Sequence, residues 1–178
     1  MNSLRREAVS VLEQTAKLPP CRMVLELIDY IDYIGEVFMD TKQEESLNQG
    51  NRNTIHFEEG ILGFEDVKDY LLYHEDDSDI IWNLQSADSE IPSFIVIDPY
   101  AVLSDYQPVF TQTDLDYFEE ADMTNLVLLV VAVIRPNLAD SVVNLKSPIV
   151  IDVNTRKAKQ IILENSDYPI RYKLFANK

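Results

Sequence analysis

Carboxylates dominate the residues of this chain that could do chemistry. Glu75, Asp76, Asp77 and Asp79 surround Ser78, and an oxygen-rich stretch of this kind can hold calcium. An EF-hand loop also needs a central glycine and a closing glutamate, and both are missing here. Two carboxylates facing one pocket could hydrolyse a glycosidic bond, but nothing in the spacing selects a pair. His56 and His74 have no GxSxG-type nucleophile motif beside them. Cys21 is the only cysteine, so it makes no internal disulfide, and no CxxC or HxxxH spacing suggests zinc. Trp82 lies in a β-rich segment and reads as a core residue. These residues point to no catalytic centre, metal or cofactor, and the acidic turns read as solvated charge.

The segment Glu59-Gly60-Ile61-Leu62-Gly63-Phe64-Glu65 places two glycines around two apolar residues. It matches neither GxGxxG nor GxxxxGK[ST], and a phosphate would meet Glu58, Glu59, Glu65 and Asp66 there instead of a lysine. The reading is structural: Gly60 and Gly63 supply backbone angles closed to other residues. Phe64 is expected to anchor the turn in the core, and Glu65 and Asp66 to sit at the positive end of a short helix over 64–69.

The formal net charge is −16, and it is local. Between Glu58 and Asp122 eighteen carboxylates accompany a single cation, Lys68, giving −17; the remainder carries about +1. Such a field repels phosphate backbones, which argues against direct nucleic-acid binding, and steers basic protein surfaces inward. The N-terminus reads as no secretory signal, because Arg5 and Arg6 lead into a charged amphipathic stretch. The longest apolar run, Leu126 to Ile134, falls well short of the roughly 20 residues a membrane span needs. A soluble, cytoplasmic protein is expected. At 178 residues, 46% of them hydrophobic, the chain can form one domain around one sizeable core.

The elements that would position these residues are mostly short strands. Residues 2–18 carry a helical pattern (Leu4, Ala8, Val11, Leu12, Thr15) that stops at Pro19-Pro20. Residues 24–39 fit either a helix or a strand, and 41–53 read as an exposed loop. Beyond that, strands are predicted over Thr54–Phe57, Tyr70–His74, Ile80–Gln85, Ser93–Asp98, Asn125–Arg135, Ser141–Asp152, Ala158–Glu164 and Arg171–Phe175. Turn residues separate them, and helix is plausible only at Phe64–Asp69 and around Asp114–Ala121. The fold class is all-β, mainly antiparallel: a barrel-like or sandwich domain with one or two short helices, plus an N-terminal helical extension. Leu126–Ile134 is apolar on both faces, so it should be a central strand. Pro148 cannot donate to a ladder, which predicts an edge or bulge in Ser141–Asp152 and a possible open docking edge.

Four segments, taken in order, resemble the FliW family. They are Glu59-Gly60-Ile61-Leu62-Gly63-Phe64-Glu65; Leu84-Gln85-Ser86; Ser93-Phe94-Ile95-Val96-Ile97-Asp98-Pro99; and Val143-Asn144-Leu145-Lys146-Ser147-Pro148-Ile149-Val150-Ile151. Tyr33-Ile34-Gly35-Glu36-Val37-Phe38-Met39-Asp40 also looks like that family's opening strand. The resemblance covers about Tyr30 to Phe175, so residues 30–178 read as a FliW-like β domain with 41–53 inserted and 1–29 as an extension, which reads as partly helical. Leu62 departs from the proline usual in the family at that position. The resemblance implies a non-enzymatic, cytoplasmic regulator of flagellar assembly that binds flagellin and, alternatively, sequesters or allosterically antagonises the RNA-binding translational repressor CsrA. A dedicated flagellin chaperone is the alternative, and a metal-dependent hydrolase using the acidic turns is a third, different class. Candidate partner contacts are Glu65, Asp76 and Asp77 from the acidic block and Asn144, Lys146 and Pro148 from the expected edge.

Overall fold

A computed structural model describes residues 54–73, 80–118 and 123–175. The expected N-terminal helix, the opening strand, the loop 41–53, and residues Cys21, His74, Asp76 and Asp77 lie outside the described residues. Among the described residues nine strands follow one another: β1 (Thr54–Phe57), β2 (Asp69–Tyr73), β3 (Ile81–Ser86), β4 (Ser93–Ile97), β5 (Leu126–Val133), β6 (Val142–Val143), β7 (Ile149–Asp152), β8 (Lys157–Gln160) and β9 (Tyr172–Lys173). The described residues between β4 and β5 include two short α-helices, α1 (Pro99–Val102) and α2 (Gln112–Asp116).

The sheet runs β4-β3-β2-β1-β8-β7-β5 and then closes, because β4 also pairs with β5 through Ile95↔Ala132, Val96↔Val131 and Ile97↔Val130. A seven-stranded barrel results, with β6 and β9 attached along the last residues of β5. All of its pairings are antiparallel except β1 with β8, where His56 faces Lys157 and Phe57 faces Ala158. Closure decides for the barrel over the sandwich and leaves the seven strands without a free edge.

Alternation along the strands builds two cores. Ile55, Phe57, Tyr70, Leu72, Trp82, Leu84, Val96, Val127, Leu129, Ile149, Ile151 and Ala158 come from all seven strands and fill the barrel. The intervening residues Ile81, Ile97, Val130, Ala132 and Val150 form a second cluster with Tyr106, Phe118, Leu145, Ile161, Leu163 and Leu174, outside the barrel wall. β5 is therefore covered on both faces, as its unbroken apolar run predicts. Trp82 is buried in the barrel.

Three expectations need correction. No helix forms over Phe64–Asp69: Phe64 N–H donates to Ile61 O at 2.7 Å and Val67 N–H to Phe64 O at 3.1 Å, tight turns that feed directly into β2. The segment is too short to hold a helix before Asp69 joins the ladder, so Glu65 and Asp66 have no helix end to complement. Phe64 is not a core anchor, being 39% exposed.

The third correction concerns Ser141–Asp152, which is two strands separated by a turn at 144–148. Asn144 Oδ1 accepts from the backbone N–H groups of both Lys146 and Ser147 at 3.1 Å, an Asx-type turn that competes with the ladder. Pro148 is buried at the start of β7. The turn is also no open edge, because Leu145 N–H reaches Pro169 O, Lys146 O accepts from Leu163 and Pro148 O accepts from Ile161.

Two helical signals are explained by capping. Asp98 accepts from Tyr100 N–H at 2.8 Å with Pro99 at the first helical position, so the Asp98-Pro99 that ends β4 also starts α1. Thr111 and Asp114 form a reciprocal capping box at α2, which starts just before the helix expected around Asp114–Ala121 and ends at Asp116, with 119–121 outside the described residues.

A candidate interaction surface around Gln160

Two segments singled out in the sequence, the 59–66 turn and the 144–148 turn, meet at one side chain. Gln160, the last residue of β8, accepts from Leu62 N–H through Oε1 at 3.0 Å and donates through Nε2 to Ser147 O at 3.4 Å. Glu65, Asn144, Lys146 and Pro148 thus belong to two neighbouring turns.

The 59–66 turn is rigid for local reasons. Gly60 has φ +75° and Gly63 φ +85°, as expected from their positions. A Cβ on Gly60 would lie 2.7–2.9 Å from the backbone of Glu65, whereas at Gly63 it would meet nothing. Ile61 is buried in the barrel core and bridges to Phe64. Glu65 folds back to accept from Gly63 N–H at 2.8 Å. That bond, together with one from its own N–H, holds the Glu65 carboxyl below its usual value, so it stays ionised near neutrality.

The surface is apolar at its centre and acidic at its border. Leu62 is 53% exposed, and Phe64 lies edge-on against the half-buried Phe94 with centroids 5.3 Å apart; Ile162, two residues beyond Gln160, is 49% exposed. Glu58, Glu59, Glu65 and Asp66 are all exposed around Leu62 and Phe64. Lys159 Nζ pairs with Glu59 at 3.3 Å and stands 5.3 Å from the Tyr117 ring centroid. The Tyr117 hydroxyl accepts from Glu58 N–H at 3.4 Å, and burial pushes its pKa up.

On the neighbouring turn, the Lys146 ammonium donates to the carbonyls of Ser166 and Glu164. It serves to tie the 164–166 loop to this turn. Asn144 is likewise occupied by the turn itself, so its expected contact role competes with a structural one. Ile162 and Gln160 escaped the sequence reading, and Leu62 and Phe94 entered it only within family-like segments, not as contact residues. Ile161-Ile162 carried a signal: adjacent residues of an extended segment point to opposite sides, so both cannot enter one core.

Catalytic geometry is weak by comparison. His56 Nδ1 lies 2.8 Å from Asp69 Oδ1 across the β1–β2 ladder, with both side chains about half exposed. No group of three or more His, Cys, Asp or Glu among the described residues could hold a metal ion. No described helix is long and apolar enough to cross a membrane.

Comparison with known proteins follows the same outline. The family described as FliW protein matches residues 38–174. A flagellar assembly factor FliW of Caldicellulosiruptor saccharolyticus is 34% identical over 131 residues, 74% of this chain and 86% of that protein. One of Syntrophus aciditrophicus is 39% identical over 120 residues, 67% of this chain and 75% of the relative. A crystal structure of the flagellar assembly factor FliW superposes with a TM-score of 0.66 at 27% identity, covering 78% of this chain and 92% of the other.

Proposed function

The chain belongs to the FliW family of flagellar assembly factors, and from that premise we propose that it acts without catalysis, by binding flagellin and, alternately, the translational repressor CsrA in the cytoplasm. Export of flagellin would free this protein to bind CsrA and lift repression. Residues 1–29 and 41–53 would be additions to the family domain. The observation that carries the reading is the surface at Gln160: exposed Leu62 and Phe64 stand in a turn with the exposed carboxylates Glu58, Glu59, Glu65 and Asp66 on a closed barrel. An apolar centre with a charged border suits a protein partner better than a small substrate. The strong local negative charge favours basic proteins and disfavours RNA.

The two partners should exclude one another, because a standard interface of about 800 Å² per side covers much of a domain this small. Titrating flagellin into a preformed complex of this chain with CsrA tests the reading. Release of CsrA is expected, and a stable ternary complex refutes exclusivity. Reversing charge at Asp76 and Asp77 should weaken CsrA more than flagellin, and failure of CsrA to bind at all would leave a flagellin chaperone.

A further inference from the structure

The 59–66 turn presents its apolar side chains while keeping its backbone to itself. Gly60 N–H donates to Phe57 O at 3.2 Å, Leu62 N–H to Gln160, Gly63 N–H to Glu65 and Phe64 N–H to Ile61 O. An extended strand docking here would find these donors already taken, which disfavours strand addition and leaves contact mainly to side chains. Leu62 and Phe64 project from a turn that two left-handed glycines and four hydrogen bonds hold in place, so little conformational freedom is lost when a partner covers them.

The charges around the knuckle have one sign. Glu58, Glu59, Glu65 and Asp66 are exposed within nine residues that contain no cation. The nearby cations are engaged within the chain: Lys159 with Glu59 at 3.3 Å, and Lys68 with the carbonyl of Glu58 at 2.8 Å. A complementary occupant brings apolar side chains on one face and positive charge beside them, without needing backbone hydrogen bonds. A helix satisfies its own backbone and meets these terms.

We propose that the Leu62–Phe64 knuckle docks one amphipathic helix of a partner protein whose apolar face is flanked by lysine or arginine. This deepens the reading above and rests on it only for the premise that the chain works by binding protein. The test uses the full chain and a fluorescent synthetic helix of about 18 residues with a leucine face and lysine flanks, next to a twin with glutamate flanks. Anisotropy should show binding of the lysine peptide and not of its twin. Leu62→Ser combined with Phe64→Ser should weaken it by roughly tenfold. Leu62→Gln alone, at a position outside both cores, keeps the test valid if the double variant unfolds, and should also weaken binding. Equal binding of the two peptides, or no change in either variant, overturns the proposal. The titration with CsrA and flagellin reads separately: if both still bind Leu62→Gln while the lysine peptide does not, the functional reading stands and the knuckle serves another partner.

Discussion

Phe64 stands edge-on to Phe94, ring centroids 5.3 Å apart and planes at 79°, so a strand of the barrel steadies an aromatic ring carried by an exposed turn. The contact continues inward, Phe94 to Tyr70 at 6.1 Å and Tyr70 to Phe57 at 5.2 Å. The four rings run from solvent to the centre of the barrel.

Stability should follow depth along that series. Phe57 is fully buried, and Phe57→Ala is expected to cost about 3–5 kcal/mol in transfer and cavity terms. Phe64→Ala should cost only about 1–2 kcal/mol, from partial burial and an edge-on pair. Urea unfolding of the two variants checks this, and equal losses would mean that Phe64 belongs to the core after all.

The two glycines should differ although both have positive φ. Gly63→Ala meets only the backbone cost, about 1–2 kcal/mol. Gly60→Ala adds a Cβ within 3 Å of the Glu65 backbone and should lose roughly twice as much or more. Thermal melts of both variants decide the order, and the valine versions should exaggerate it.

Two buried tyrosines predict opposite responses. Tyr70 OH has no hydrogen-bond partner among the described residues, so Tyr70→Phe should be neutral or stabilise by up to about 1 kcal/mol. Tyr106 OH donates to Leu145 O at 2.9 Å, and Tyr106→Phe should cost about 1 kcal/mol or more. Burial raises the Tyr70 pKa from 10.0 to about 12. The cause is desolvation of the ionised form, so Tyr70 leaves stability unchanged with pH below about 10 and lowers it progressively as pH rises through about 12. Tyr70→Phe should flatten the part of the alkaline decline that Tyr70 causes, which denaturant midpoints between pH 9 and 12 measure.

The acidic block should act on association rate. Screening shortens from about 10 Å at 0.1 M salt to about 3 Å at 1 M, so the on-rate for the proposed partner CsrA should fall across that range. Stopped-flow measurements showing a flat on-rate would remove electrostatic steering from the account.

Much of the barrel was legible because strand alternation is local. Ile55 and Phe57, or Tyr70 and Leu72, announce one buried face within a few residues. Closure was not legible: it depends on Val96 finding Val131, a register between distant strands that no local pattern encodes. Phe64 was misplaced because hydrophobicity reports affinity for a core and cannot say whether the backbone delivers the side chain there. Pro148 correctly signalled an interruption, but its form depended on Asn144 capturing two amides. Gln160 carried no signal, since its role arises only when turns from opposite ends of the domain are brought beside it.

The parallel pairing of β1 with β8 has a consequence during synthesis. β1 waits beside a vacant edge until its neighbour, about 100 residues later, leaves the ribosome; at roughly 5–20 residues per second that is about 5–20 s. Throughout that interval the nascent chain exposes the inner faces of β1 to β4, including Phe57, Tyr70 and Trp82. Escape from aggregation during translation therefore depends on whatever shields that open half-barrel, and the dense negative charge of the same stretch supplies repulsion between neighbouring nascent chains.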